Sequence, residues 1–126
     1  MTTLVKKPSI FIVDDDEAVR DSLDAYLSLK GMNVKTFCSA VDILAHGTFD
    51  ADILILDVNM PEIDGFELLK TLQVNGEKAR VVFITGLGDV KLRMRATRVG
   101  AAAFLDKPID LPLLLETLDR LLKANA

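Results

Sequence analysis

Residues 53–61 read Ile53-Leu54-Ile55-Leu56-Asp57-Val58-Asn59-Met60-Pro61. Four apolar residues run directly into one carboxylate. An unbroken apolar run that is rich in β-branched residues is typical of a strand buried on both faces of a parallel sheet. Because proline cannot donate to a strand ladder, the strand has to end before Pro61. Asp57 is therefore predicted to lie at the carboxyl end of a central strand, where open parallel sheets bind their ligands.

Composition limits the class of protein. The chain has 126 residues, of which 50% are hydrophobic and 27% charged, and this predicts one domain over residues 1–126. The net charge of −4 argues against direct nucleic-acid binding by this domain. Apolar runs are only strand-sized and there is no signal-peptide pattern, so we expect no membrane segment and a cytoplasmic location. Cys38 is the single cysteine and is expected to be a small buried apolar group.

Strand and helix patterns alternate five times along the chain. Strands are predicted over residues 9–14, 33–37, 53–57, 80–85 and 102–105, and a helix follows each of them. Helix N-caps are expected at Asp15 or Asp16, at Ser39, at Asp89 and at Asp110. This alternation predicts an α/β, flavodoxin-like three-layer fold, in which five helices cover a five-stranded parallel sheet of order 2-1-3-4-5.

Polar groups follow four of the five predicted strands. They are Asp14 with Asp15, then Asp57, Thr85 and Lys107. Strands one and three are neighbours in the predicted order, so the three carboxylates should converge and repel one another. A divalent cation would relieve this repulsion. Mg²⁺ suits such a cluster because the ion prefers oxygen ligands and needs only a few carboxylates. The set holds no histidine or cysteine, which argues against zinc.

Adding an ammonium and a hydroxyl to these acids predicts a site for phosphoryl transfer. Lys107 would neutralise charge on the phosphoryl oxygens, and Thr85 would contact one of them. A carboxylate can be the covalent acceptor. Asp57 is the best candidate for that role, because Asp14 and Asp15 are paired as metal holders.

Four motifs together resemble the receiver domains of bacterial two-component response regulators over essentially the whole chain. The motifs are Ile12-Val13-Asp14-Asp15, Asp57-Val58-Asn59-Met60-Pro61 with Asp64-Gly65, Ile84-Thr85-Gly86, and Phe104-Leu105-Asp106-Lys107-Pro108. The resemblance implies that Asp57 accepts a phosphoryl group from a sensor histidine kinase. It also implies that the domain is a phosphoacceptor switch rather than an enzyme with turnover.

The resemblance assigns roles to individual residues. Asp14 and Asp15 would hold Mg²⁺, Asp15 more directly, together with Asp57 and the backbone carbonyl of Asn59. Thr85 would be the switch hydroxyl, and Lys107 would pair with the phosphate. Two further family features fall at Phe104, the aromatic that turns inward when the switch hydroxyl moves, and at the Lys107-Pro108 bond, which is usually cis.

The family also implies partners. Its kinases dock on the first helix, and it signals through the fourth helix, fifth strand and fifth helix to an effector or, in a phosphorylation-dependent way, to a second copy. The fourth helix here carries Lys91, Arg93, Arg95 and Arg98. These cations form either a partner surface or an ordinary solvated face.

The sequence is also compatible with other interpretations of these residues and of the whole chain. Phe104 could be a plain core residue, because aromatic residues favour strands. Asp14-Asp15-Asp16 contains the Asp-x-Asp spacing of haloacid-dehalogenase phosphatases, in which the first Asp would be the nucleophile and Asp57 would have no role. The chain could also be a stand-alone regulator or the regulatory part of a DNA-binding transcription factor.

Overall fold

The computed structural model describes residues 7–86, 88 and 90–124. Its five strands form one parallel sheet of order β2-β1-β3-β4-β5, as predicted. The strands are β1 (Ser9–Val13), β2 (Asn33–Phe37), β3 (Ile53–Asp57), β4 (Arg80–Thr85) and β5 (Ala103–Asp106). The helices are α1 (Glu17–Leu29), α2 (Ala40–His46), α3 (Gly65–Val74), α4 (Val90–Arg98) and α5 (Leu111–Lys123).

Burial along the strands follows the sheet order. All five residues of the central strand β3 are buried, whereas the edge strand β2 is largely exposed. Alternate residues of the inner strands point to opposite faces. One face packs with α2, α3 and α4 around Phe11, Leu54 and Phe83. The other packs with α1 and α5 around Ile12 and Ile55.

Most helices begin at the residue whose side chain was expected to cap them. The cap of α1 is Asp16, which accepts from the backbone N–H groups of Ala18 and Val19. Ser39 and Asp110 cap α2 and α5, as expected. Asp64, which had not been predicted as a cap, caps α3 by accepting from the N–H of Glu67. The expected cap Asp89 lies outside the described residues.

Three details differ from the sequence-based expectations. The first strand ends at Val13, one residue earlier than predicted. β5 begins and ends one residue later than predicted, because the alanine run at 101–103 gives no periodic signal. Cys38 is exposed, so the expectation of a buried cysteine was wrong. It lies in the turn after the edge strand β2, where its thiol donates to the Asp42 carboxylate at 2.6 Å. That hydrogen bond raises the pKa of the thiol.

No helix in the described part of the chain has both the length and the apolar composition that crossing a bilayer requires.

Gly65 brings the start of α3 against the end of β3. A Cβ at this position would lie 2.5 Å from the carbonyl oxygen of Asp57 and 3.1 Å from the Cα of Val58. The Gly65 N–H donates to the Val58 carbonyl at 2.9 Å. A glycine is needed here because the backbones of the helix and of the strand end touch.

Replacing this glycine tests the contact. Gly65→Ala should lower the free energy of unfolding by about 1–3 kcal/mol, because overpacking against backbone outweighs the higher helix propensity of alanine. Urea unfolding measures the change. Gly86→Ala is the matched control, since a Cβ there meets nothing within 4 Å, and its effect should stay within about 0.5 kcal/mol. Equal effects of the two substitutions would contradict the steric argument.

Candidate functional site

Asp57 is the last residue of β3 and is 3% exposed. Its Oδ1 accepts a hydrogen bond from the backbone N–H of Asn59 at 3.2 Å. Its Oδ2 lies 3.5 Å from the ammonium of Lys107. The central strand therefore ends in a carboxylate that touches one fixed donor and one cation.

Asp14 follows β1, the strand next to β3, and is completely buried. Its Oδ1 accepts from the backbone N–H of Asp16 at 2.9 Å. Its Oδ2 lies 2.8 Å from the Lys107 ammonium, which thereby bridges the two buried acids. Asp15, the next residue, is exposed.

The three predicted acids come together as expected. One carboxylate oxygen from each of Asp14, Asp15 and Asp57 can be chosen so that the three lie within 4.8 Å of one another. Asp14 and Asp57 lie at the same edge of the sheet because β1 and β3 are adjacent and parallel.

Charge in this cluster is not balanced. Burial and then the nearby charge of Asp14 raise the pKa of Asp57 to about 6, against the opposing effects of Lys107 and the Asn59 N–H. Burial alone would lower the pKa of Lys107, but its close contact with the Asp14 carboxylate and the charge of Asp57 outweigh that effect and raise it. One ammonium does not fully compensate the buried carboxylates.

The donor set fits a hard divalent cation. It consists of carboxylate oxygens, and the raised pKa of Asp57 shows that its ionised form lacks stabilisation. Such a cation would supply it, and oxygen-only sites of this kind suit Mg²⁺. The structure thus supports a metal site at the three acids without identifying the ion.

Thr85 ends β4, on the other side of β3, and is completely buried. The side-chain amide of Asn59 donates to its hydroxyl at 3.3 Å. Its carbonyl accepts the backbone N–H of Lys107 at 2.8 Å. Asn59 therefore contacts Asp57 through its backbone and Thr85 through its side chain, a link that the sequence did not reveal.

The chain matches the response regulator receiver domain family over residues 10–119. It belongs to that family.

Individual relatives agree with this assignment. The chain is 43% identical over 102 residues to the transcriptional regulatory protein FixJ of Azorhizobium caulinodans, covering 80% of this chain and 48% of FixJ. The crystal structure of FixJ-N superposes with a TM-score of 0.82 at 34% identity, covering 93% of this chain and 94% of that one. The chemotaxis protein CheY4 of Vibrio cholerae gives a TM-score of 0.85 at 28% identity, with coverage of 92% and 99%.

The receiver domain spans about half the length of the curated relatives it matches.

The bond between Lys107 and Pro108 is cis, as the family resemblance implied.

Phe104 lies on β5 and is partly buried against the face covered by α4. The guanidinium of Arg93 lies over its ring, 4.9 Å from the centroid. Arg93 also forms an ion pair with Asp106 in which both side chains are about half exposed. The ring is thus held between the sheet and an arginine of α4, and its role as a switch remains a prediction.

Two arginines of the basic helix α4 are engaged within the domain. Besides Arg93, Arg95 stacks on the ring of Phe66, 4.0 Å from its centroid. Arg98 is exposed and has no ion pair or ring contact with any residue that the structure describes. The sequence alone could not separate these cases, because the contacts join residues far apart along the chain.

The raised pKa of Asp57 predicts a pH-dependent penalty in the metal-free protein. A carboxyl group whose folded-state pKa lies above its unfolded value of 3.8 destabilises the fold as pH rises from about 4 to about 6, and the penalty is complete above that range. Asp57→Asn should therefore stabilise the metal-free domain by about 1–3 kcal/mol at pH 7.5. Between pH 5 and pH 7.5 the increase in the free energy of unfolding that this substitution causes should grow by about 1 kcal/mol.

Urea unfolding in EDTA at the two pH values measures this gain. Asp119→Asn, which removes the same charge from the exposed side of α5, corrects for the change in net charge. A gain that is equal at both pH values would contradict an elevated pKa at Asp57.

Proposed function

We propose that this receiver domain accepts a phosphoryl group on Asp57 from the phosphohistidine of a sensor histidine kinase. The observation that carries the proposal is the Lys107 ammonium, which contacts both Asp14 and Asp57 at the edge of the sheet where three acids meet. An ammonium beside a buried nucleophilic carboxylate supplies the positive charge that phosphoryl oxygens require.

The reaction uses groups that already surround Asp57. A carboxylate oxygen of Asp57 attacks the phosphorus, the bond from phosphorus to the histidine nitrogen breaks, and the imidazole keeps its electron pair. Lys107 pairs with the transferred oxygens, and the Asn59 N–H holds the carboxylate in place during the attack. The product is an aspartyl phosphate, a mixed anhydride that water can later hydrolyse.

Asp14, Asp15 and Asp57 would hold Mg²⁺, together with the backbone carbonyl of Asn59. When bound, this ion would neutralise charge on the phosphoryl oxygens and on the acids themselves. Asp15 is the exposed member of the set and is the more direct ligand in this proposal.

Signalling follows from a change in the balance between two conformations. The phosphorylated Asp57 draws the Thr85 hydroxyl toward it, and Phe104 turns inward to follow. Reversing a population from 1:99 to 99:1 requires roughly 5.5 kcal/mol of differential stabilisation. Charge-assisted contacts of a phosphoryl group with Lys107 and Thr85 are of the strength needed to contribute to it.

In this proposal the domain is a phosphoacceptor switch and not a phosphatase with turnover. In the phosphatase alternative Asp14 would be the nucleophile. Asp14 is completely buried and its Oδ2 lies 2.8 Å from the Lys107 ammonium, whereas the Asp57 Oδ2 lies 3.5 Å from it, so Asp14 is the more tightly paired of the two acids. These contacts favour Asp57.

Labelling with acetyl phosphate tests the acceptor. The full chain in Mg²⁺ should gain about one phosphoryl group, EDTA should abolish the gain, and Asp57→Asn should remove it by deleting the nucleophile. Intact mass spectrometry measures the incorporation, and Asp119→Asn is the control that should label normally. Label that persists in Asp57→Asn would show that another residue is the acceptor, and many turnovers of a phosphomonoester would favour the phosphatase.

The kinase would dock beside the first helix. A groove of about 270 Å³ runs between α1 and the segment after β5, next to Lys107. Its lining is largely apolar and includes Val19, Leu23, Pro108 and Ile109. A kinase helix placed in this groove would bring its phosphohistidine close to Asp57.

The output partner would engage α4, β5 and α5. Several relatives are named transcriptional regulatory proteins and are about twice as long as this chain, which favours a DNA-binding output domain in this protein as well. A second copy of the phosphorylated domain is the other partner in the proposal. A cytoplasmic location belongs to the same proposal.

Charge reversal tests the α4 surface. Arg98 is the residue to change, because Arg93 and Arg95 hold intramolecular contacts whose loss would confuse the result. Arg98→Glu should weaken self-association of the phosphorylated domain a few-fold, as expected for a charge at the rim of an interface. Sedimentation velocity with and without acetyl phosphate measures this, with Lys70→Glu on α3 as the control. Unchanged self-association and partner binding would remove α4 from the proposal.

A further inference from the structure

Each polar atom of Asp14 contacts a protein group. Its Oδ2 does so only as an ion pair with Lys107, since it accepts no hydrogen bond from any residue that the structure describes. Besides the two carboxylate contacts described above, its backbone N–H donates to the carbonyl of Phe37 at 3.1 Å. Its own carbonyl accepts a hydrogen bond from Nη1 of Arg20 at 2.7 Å. These four contacts join Asp14 to four parts of the chain. The partners are Phe37 at the end of β2, Asp16 in the following loop, Lys107 after β5 and Arg20 in α1.

The contact from Arg20 fixes the peptide that joins Asp14 to Asp15. Arg20 lies in the second turn of α1 and is partly buried. Its backbone N–H donates to the carbonyl of Asp16 at 3.1 Å. The backbone and the guanidinium of one residue therefore hold both ends of the loop 14–16. A short hydrogen bond from a charged donor is among the stronger kinds.

Asp15 depends on that peptide for its direction. It is exposed, in contrast to Asp14, yet one of its carboxylate oxygens has to meet those of Asp14 and Asp57 within 4.8 Å. The carbonyl bound by Arg20 and the amide of Asp15 belong to the same planar unit. Rotation of this unit would turn Asp15 away from the other acids.

We propose that Arg20 is a positioning residue of the acid cluster. By binding the Asp14 carbonyl it holds the Asp14-Asp15 peptide in the orientation that a divalent cation requires, and it does so without touching the ion. This inference rests on the proposed function, because it assumes that the cluster binds Mg²⁺.

Two physical effects of Arg20 have opposite signs. Its positive charge lies near the acids, so charge alone would make Mg²⁺ bind more tightly when Arg20 is removed. Its hydrogen bond organises the loop, so loss of positioning would make Mg²⁺ bind more weakly. Outer-shell partners that orient metal ligands typically contribute about 10- to 100-fold to affinity. We therefore expect positioning to outweigh charge.

Mg²⁺ titration of four variants by calorimetry separates the two effects. Arg20→Met keeps most of the buried stem but removes the donor and the charge, and Arg20→Ala removes all three. Both should weaken Mg²⁺ binding about tenfold. Arg20→Lys restores a charged donor and should recover part of the loss. Lys35→Ala, which removes one charge from the exposed face of β2, should leave the affinity within about twofold.

Amide hydrogen exchange in EDTA provides a readout that needs no metal. The Asp16 N–H, which donates to Asp14 Oδ1, should exchange faster in Arg20→Met than in the wild type, while amides of β3 stay unchanged. Global unfolding in urea is measured in parallel. If Arg20→Ala does not fold, Arg20→Met and Arg20→Lys still decide the question.

The results of these measurements decide whether Arg20 positions the acid cluster. Weaker binding in Arg20→Met, partial recovery in Arg20→Lys and faster exchange at Asp16 support the inference. Unchanged or tighter Mg²⁺ binding in Arg20→Met overturns it, because Arg20 then acts through charge or not at all. Absence of Mg²⁺ binding by the wild type contradicts the proposed function itself, and the exchange at Asp16 then decides separately whether Arg20 holds the loop.

Discussion

The site depends on electrostatic balance between two buried carboxylates and one ammonium. Asp14 and Asp57 stand on neighbouring strands, and Lys107 lies within reach of both. Removing a charge from water is costly unless a partner of opposite sign is close. Lys107 compensates only part of the cost, since the pKa of Asp57 still rises to about 6. The excess negative charge favours the binding of a cation and destabilises the fold when no cation is bound.

The sheet explains how such a costly arrangement is held. Main-chain contacts at the strand ends fix Asp14, Asp57 and Thr85, and the side chains around them come from α1, the loop after β3 and the segment after β5. The apolar residues on both faces of β3 supply the stability that the acids remove, because burial of each large aliphatic side chain contributes about 1.5–3 kcal/mol. Stability is provided in the core, and chemistry is located where the strands end.

Much of this arrangement was predictable from the sequence. Apolar runs that end in polar residues gave the strands, their order and the convergence of Asp14, Asp15 and Asp57, because parallel strands share one direction. The burial of side chains in turns was not predictable. Cys38 is exposed because it lies in the turn after β2, which is an edge strand. The contacts of Asn59 with Thr85, of Arg20 with Asp14 and of Arg93 with Phe104 were also missed. They depend on side-chain positions in three dimensions, and the first and third join residues 26 and 11 positions apart, where local periodicity carries no signal.

The close approach of Gly65 to Asp57 has a mechanical consequence. On the α3 side the end of β3 abuts main-chain atoms, which leave no space for even one added carbon. On the same face of the sheet, β5 meets α4 through a half-exposed ion pair and a ring covered by a guanidinium, contacts that rearrange at little cost. The start of α3 is thus fixed against the end of β3, whereas the contact between α4 and β5 is compliant. In the proposed switch, a rearrangement would therefore cost less at the contact between α4 and β5 than at the contact between α3 and β3.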